Sequence, residues 1–256
     1  MSNIPTGRFA WYELMTTDPD AAPGFYSNFT PWTAMPWDGG PEPYSMWMIG
    51  EQPIGGIMKL PQEAIDQGAP PNWMVHISTP DIDATVAKAQ ELGGMVMHRE
   101  TVPTVGSFAI IADPHGAVFS AYQPEGDAPG HDGPAKIGEF SWHELMSNDW
   151  KEAWAFYSEL FGWTEDSQMD MGEIGIYHMF KGPAHPIGGM LTRTAEMGPA
   201  AFWLFYIHVE SVGTAAEAVT ANGGKVINGP MEIPGGDTIA VCCDPQGATF
   251  ALHGKA

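Results

Sequence analysis

Short runs rich in apolar and aromatic residues mark out strands along the chain, each followed by a helix start signal or a tight turn. Phe9–Met15, apolar or aromatic at every position but Glu13, predicts a strand that ends near Asp18. Asp18 then stands as a helix N-cap, with Pro19 at the first helical position. Phe25 and Tyr26 are the residues this helix carries toward the core. Strands follow around Tyr44–Ile49 and Ile54–Lys59. Another, Asn72–Thr79, leads to Asp81, the expected cap of a helix stopped by Gly93-Gly94. Ser107–Ala112 and Ala117–Tyr122 read as a hairpin across Asp113-Pro114-His115-Gly116, where Asp, Pro and Gly occupy their preferred places in a type I turn.

The pattern then repeats. Gly7–Thr33 aligns without a gap on Gly138–Thr164, with 13 identities in 27 positions. Tyr44 and Pro53–Met58 correspond to Tyr177 and Pro186–Leu191, Trp73–Ser78 to Trp203–His208, and Asp113–Phe119 to Asp244–Phe250. In the second copy Asp149 caps the first helix, with Glu152 placed for a capping box, and Ser211 caps the second, which Gly223-Gly224 stops. The expected organisation is a first domain over 1–122, a Pro/Gly-rich linker over 123–137 and a second domain over 138–256. Each holds two βαβββ modules. Four modules in one chain make a monomer or homodimer the expected state.

Composition narrows the partners. The chain has 31 acidic and 10 basic residues, a formal charge of −21, which repels phosphate backbones and anionic lipid. Neither nucleic acid nor membrane is expected, and a small-molecule ligand is. The longest apolar run, Ala200–Ile207, is far too short to span a bilayer. The N-terminus shows no basic stretch followed by an apolar one, and the two cysteines, Cys242 and Cys243, are adjacent on a strand and point to opposite faces. A reduced, cytoplasmic protein is the expectation. The chain has no GxGxxG, Walker A, HExxH or GxSxG sequence.

W-x-E-L-M-x-x-D followed by Phe-Tyr and a Trp, and the terminal D-P-x-G-A-x-F, occur in both halves. In these motifs the chain resembles the vicinal oxygen chelate superfamily, the glyoxalase, bleomycin-resistance and extradiol-dioxygenase group, in its two-domain glyoxalase-like form. The resemblance implies an α+β fold: four βαβββ modules paired into two cup-shaped mixed-sheet half-barrels, helices outside, with a ligand or metal in each cup. In metal-using members one ligand lies on the opening strand of each module, and the corresponding residues here are Trp11, Met74, Trp142 and Leu204. The last-strand glutamate falls at Ser120 and Ala251, and Gly55-Gly56 and Gly188-Gly189 stand where another carboxylate belongs. The usual ligand set is absent from both halves.

Parity supplies other candidates. Glu13 and Glu144 lie two residues beyond the opening-strand position and so share its face. They are candidate catalytic bases, or buried carboxylates with a purely structural role. On the same reasoning Glu144, His208 and His253 collect in the second cup, two histidines and a carboxylate of the kind that binds non-haem Fe(II). The first cup offers Glu13, His76 and Tyr122. The cofactor expectation is therefore either none or a divalent metal. Trp11, Met15, Tyr44, His76, Tyr122, Trp142, Met146, Tyr177 and Tyr206 are the expected substrate-binding residues. His115 is expected to be solvated in its turn, and His178 to lie at the surface or in a loop. Two functional classes remain open: an enzyme using the glutamates on a carbonyl or aromatic compound, and a non-catalytic drug-binding protein of the bleomycin-resistance kind.

Overall fold

The computed structural model describes residues 4–40, 42–66, 68–182 and 184–256. The first half runs β1 (Phe9–Thr16), α1 (Ala22–Tyr26), β2 (Trp32–Trp37), β3 (Tyr44–Ile49), β4 (Gln52–Lys59), α2 (Gln62–Asp66), β5 (Asn72–Ser78), α3 (Ile82–Glu91), β6 (Met95–Val102), β7 (Gly106–Ala112) and β8 (Val118–Pro124). The second half runs β9 (Phe140–Ser147), α4 (Trp150–Phe161), β10 (Thr164–Asp170), β11 (Ile176–Lys181), β12 (Pro186–Thr192), β13 (Phe202–Ser211), α5 (Val212–Ala221), β14 (Lys225–Glu232), β15 (Thr238–Cys243) and β16 (Thr249–Lys255). Each half makes one eight-stranded mixed sheet, ordered β2-β3-β4-β1-β5-β8-β7-β6 and β10-β11-β12-β9-β13-β16-β15-β14. The architecture is α+β, built from four βαβββ modules. No helix of the described residues is long and apolar enough to cross a membrane.

The apolar runs of the sequence mark the inner strands and pass over β2, β6, β10 and β14, which occupy the four sheet edges. Their side chains are mostly exposed, so apolar residues do not alternate along them. The caps behave as side-chain chemistry dictates at Asp81, Asp149 and Ser211, which accept from the amides of Ala84, Lys151 with Glu152, and Thr214. At α1 the expectation is corrected. Asp18 Oδ1 accepts from Ala21 N at 3.2 Å, but that closes a turn, and the helix begins only at Ala22. Pro23, near its start, has no N–H to offer a cap.

Proximity groups the chain into two compact units, each joining a module from one half of the sequence to a module from the other. The first comprises the chain up to Trp11, with Met74–Pro134 and Trp142–Trp203. Its core is tied by a buried relay. Trp203 Nε1 donates to the Tyr157 hydroxyl at 3.1 Å, and that hydroxyl donates to Asp113 Oδ2 at 3.1 Å. Asp113 Oδ1 accepts from the amides of His115 and Ala117 in the Asp-Pro turn. Trp163 Nε1 also donates to the Gly7 carbonyl at 2.8 Å.

The second unit comprises Tyr12–Trp73, Ala135–Ser141 and Leu204–Ala256, and repeats the arrangement with different residues. Trp73 Nε1 donates to Tyr26 Oη at 2.9 Å, and Tyr26 donates to Asp244 Oδ2 at 3.1 Å. Asp244 Oδ1 accepts three amides, from Gln246, Gly247 and Ala248. Trp32 Nε1 donates to the Gly138 carbonyl at 2.7 Å. Gly138 has φ +88°, and a Cβ there would meet the Pro31 ring at 2.6 Å, so this position requires glycine. Burial pushes the Asp113 and Asp244 carboxyls up, and their turn amides oppose the shift. The motif residues that recur in the sequence are thus the polar partners that each core must satisfy internally.

Candidate functional site

Glu13 on β1 and Glu144 on β9 occupy equivalent places, at 5% and 8% exposure. β1 pairs in parallel with β4, setting Glu13 beside Gly56, and β9 pairs in parallel with β12, setting Glu144 beside Gly189. Across the antiparallel neighbour, Tyr44 reaches over Gly56 and donates to Glu13 Oε2 at 3.2 Å. In the other half Tyr177 lies over Gly189 and donates to Glu144, while Trp142 Nε1 donates to the Tyr177 oxygen at 2.6 Å. Burial, reinforced by the Glu144 charge, pushes the Tyr177 hydroxyl well above its ordinary value, so the phenol remains a proton donor.

The paired glycines explain this geometry. A Cβ at Gly56 would overlap the Tyr44 hydroxyl and lie 2.5 Å from Glu13 Oε1, and one at Gly189 would overlap the Tyr177 ring. Preceding them, Gly55 and Gly188 lie against the Tyr12 and His143 carbonyls and the rings of Trp47 and Phe180 on the opposite face. The repeated Pro-Ile-Gly-Gly therefore spends one glycine on each face of the sheet: one admits a core aromatic, the other a tyrosine held on a carboxylate.

The remaining expected site residues fall into separate clusters. In the first unit, His76 packs edge-on against Phe108 and Tyr122, whose rings stack at 4.7 Å. Tyr122 donates to the Val105 carbonyl at 3.0 Å, and burial pushes its hydroxyl up to about 12. Met146 is buried and Trp11 and Trp142 are half-buried there, while Met15, half-buried, belongs to the second unit. In the second unit Tyr206 is buried, and the rings of His208 and His253 stack at 5.6 Å. His208 Nδ1 lies 3.1 Å from the Ala135 carbonyl and must donate to it. His253 Nδ1 lies 2.9 Å from Ser141 Oγ, and its Nε2 lies 3.4 Å from Asp237 Oδ2. Ser141, Asp237 and Phe108 carry no local sequence signal, since strand pairing alone brings them to these neighbours.

Two histidines differ from expectation. His115 is drawn in from its turn, with Nδ1 2.6 Å from Ser147 Oγ and Nε2 2.9 Å from Glu152 Oε2. Glu152 thus bonds His115, and its role in a capping box gives way to this contact. His178 is fully buried, stacked on Trp150 at 4.8 Å and packed against Trp154, because β11 lies beneath α4.

Four βαβββ modules forming two mixed sheets, with a tyrosine-held carboxylate on the opening strand of each half, define the class of paired-module proteins. Residues 11–122 match the family described as "Glyoxalase-like domain", and residues 137–252 the family described as "Glyoxalase/Bleomycin resistance protein/Dioxygenase superfamily". The chain belongs to this superfamily as two tandem domains. It is 32% identical over 248 residues to "Putative glyoxylase CFP32" of Mycobacterium tuberculosis, covering 94% of this chain and 92% of the relative. It is 35% identical over 125 residues to "Anthracycline biosynthesis protein DauV" of Streptomyces sp. strain C5, covering 48% of this chain and 43% of that protein. Among solved structures, the Mn(II)-bound glyoxalase of Novosphingobium aromaticivorans shares the fold, with TM-score 0.65 and 15% identity over 100% of this chain and 83% of that one.

A metal centre of the family's usual kind does not fit these residues. Its ligand positions carry Trp, Met, Leu, Ser and Ala, and the Gly56 and Gly189 positions are overlaid by tyrosine rings. A metal held by Glu144, His208 and His253 would need all three side chains to converge. Among the described residues, no three His, Cys, Asp or Glu side chains form a group that could hold a metal ion.

Proposed function

We propose that the protein takes up a small, largely apolar carbonyl or aromatic compound and that Glu13 and Glu144 act on it as general bases, drawing a proton from the carbon beside a carbonyl. The observation that carries this reading is the buried carboxylate held by a tyrosine at the same place in both halves. A carboxylate in apolar surroundings, kept in one orientation by a phenol that remains protonated, suits proton abstraction from a weak carbon acid. Trp142, Met146 and Tyr177, and Met15 and Tyr44, supply the apolar and aromatic surfaces. The match to an anthracycline biosynthesis protein supports a fused-ring compound bearing ring carbonyls.

A second reading, a binding protein without catalysis, is favoured by the lack of histidine or carboxylate at the family's ligand positions and by the net charge of −21, which suits a cationic guest. One experiment separates the two. Aromatic ketones and fused-ring quinones are screened for a rise in melting temperature, and the stabilising compounds are followed by NMR for deuterium exchange next to the carbonyl. The enzyme reading expects protein-catalysed exchange that falls at least about tenfold in Glu13→Gln/Glu144→Gln. Exchange unchanged in that variant removes the glutamates from the chemistry. Binding with no exchange establishes the second reading.

A further inference from the structure

The two halves share one scaffold, so side chains that the scaffold needs occur twice, as the Trp–Tyr–Asp relay does. One polar cluster occurs only once. In the second unit Ser141 on β9, His253 on β16 and Asp237 just before β15 come together, where the first half has Ala10, Tyr122 and Gly106. The shared fold therefore does not require this set.

The proton positions follow from the partners. Asp237 is held ionised by Lys255, which binds its Oδ1, and the ammonium keeps the carboxyl below its ordinary range. Its Oδ2 faces His253 Nε2, so that nitrogen carries the proton and Nδ1 is left as the acceptor. Ser141 Oγ, 2.9 Å from Nδ1, donates to it; the Tyr206 carbonyl, at 3.3 Å, is the more distant alternative. Burial holds His253 below its ordinary value, so it is a free base at neutral pH. His208 stacks on it and points its own Nδ1 proton away, at the Ala135 carbonyl. A hydroxyl, a base within hydrogen-bond reach and a carboxylate orienting that base are the signature of an activated nucleophile, recognised by geometry whatever the fold.

Access separates this cluster from a second one of similar composition. His115 also joins a serine to a carboxylate, but Ser147 is fully buried and also donates to the Asp149 carbonyl, so it is a clasp inside the core. Ser141 is half-buried, and the His253 and Asp237 side chains are 23% and 36% exposed.

We propose that Ser141 is a nucleophile for acyl transfer from small esters, with His253 its base and Asp237 a positioning residue. Ser141 Oγ attacks the ester carbonyl carbon while its proton passes to His253 Nδ1. Collapse of the tetrahedral adduct breaks the bond to the leaving oxygen, which takes that proton and departs as an alcohol. Water, deprotonated by His253, then releases the acyl group as a carboxylic acid and restores Ser141.

The full-length protein is treated with a fluorophosphonate probe and with p-nitrophenyl acetate, and the modified residue is located by peptide mass spectrometry. The expected result is a single phosphonyl adduct on Ser141, and an acyl adduct there with a burst of nitrophenol. Labelling should slow about 100-fold or more in His253→Gln. Asp237→Asn should slow it about tenfold and move the pH midpoint of labelling downward, because the carboxylate that favours the imidazolium is gone. No adduct on Ser141 of the folded protein overturns the proposal. So does an adduct that forms at the same rate in His253→Gln.

Discussion

At the scale of the residue, the two halves assign different side chains to one geometric task. Phe9 stacks on His143 at 3.6 Å, and Phe140 stacks on Tyr12 at 3.9 Å. The imidazole is the costlier choice. Burial lowers His143 to about 3, with its hydrogen bond to the Ile187 carbonyl only partly offsetting this. The unfolded chain binds a proton at an ordinary histidine near pH 6.5, and the folded chain declines it until near pH 3. Stability from this group is therefore complete above pH 6.5 and lost at about 1.4 kcal/mol per unit as pH falls through that window. His143→Tyr, copying the other half, should remove this dependence. Between pH 7.5 and 5, the wild type should lose about 2 kcal/mol more than the variant in urea unfolding; equal losses would refute the assignment. The relay tyrosines carry a second expectation. Tyr157→Phe leaves buried Asp113 Oδ2 and Trp203 Nε1 without this hydroxyl, and should cost about 1–3 kcal/mol in the same measurement. Strand parity, counted from the family's opening-strand position, picked out Glu13 and Glu144, and the match between the two halves picked out Tyr44 and Tyr177. Nothing local marks Asp237 or Ser141 as neighbours of His253, and the burial of His178 depends on which helix covers β11.

At the scale of the element, the informative feature is a pair of glycines inside a strand, where glycine ordinarily weakens pairing. Reading Gly188-Gly189 as a missing ligand position identifies what is absent; the structure shows what fills the space. Gly189→Ala forces the Tyr177 ring off Glu144 and should destabilise by about 1–3 kcal/mol. Tyr177→Ala opens the space again, so Gly189→Ala should cost much less in that background. A double-mutant cycle on thermal unfolding measures the coupling, and additive effects would show that the glycine serves the backbone and not the ring. The inner strands and the caps at Asp81, Asp149 and Ser211 were legible because their causes lie within a few residues. The edge strands were not, since their pairing partner rather than their own pattern makes them strands.

At the scale of the whole molecule, duplication was plain in the sequence, but the grouping of modules was not. Internal similarity reports descent, and the two halves resemble each other whether a core is built within a half or from modules of both. The buried bonds decide the matter. Tyr157 in the second half satisfies Asp113 in the first, and Tyr26 in the first satisfies Asp244 in the second. Trp163 reaches the Gly7 carbonyl, and Trp32 reaches that of Gly138. A chain ending at residue 122 would keep Tyr26 without the Asp244 carboxylate that takes its proton and Asp113 without the Tyr157 hydroxyl on its Oδ2, with Phe25 and Trp32 uncovered. Unpaired buried polar groups and an open aromatic face are incompatible with a stable monomer. Residues 1–122 and 138–256, produced separately, should each be unfolded or self-associated by circular dichroism and sedimentation. Mixed, they should form a one-to-one complex with the near-ultraviolet signature of the intact chain. A half that unfolds cooperatively as a monomer with the stability of the full protein would show that its core is complete on its own and that these reciprocal bonds are incidental.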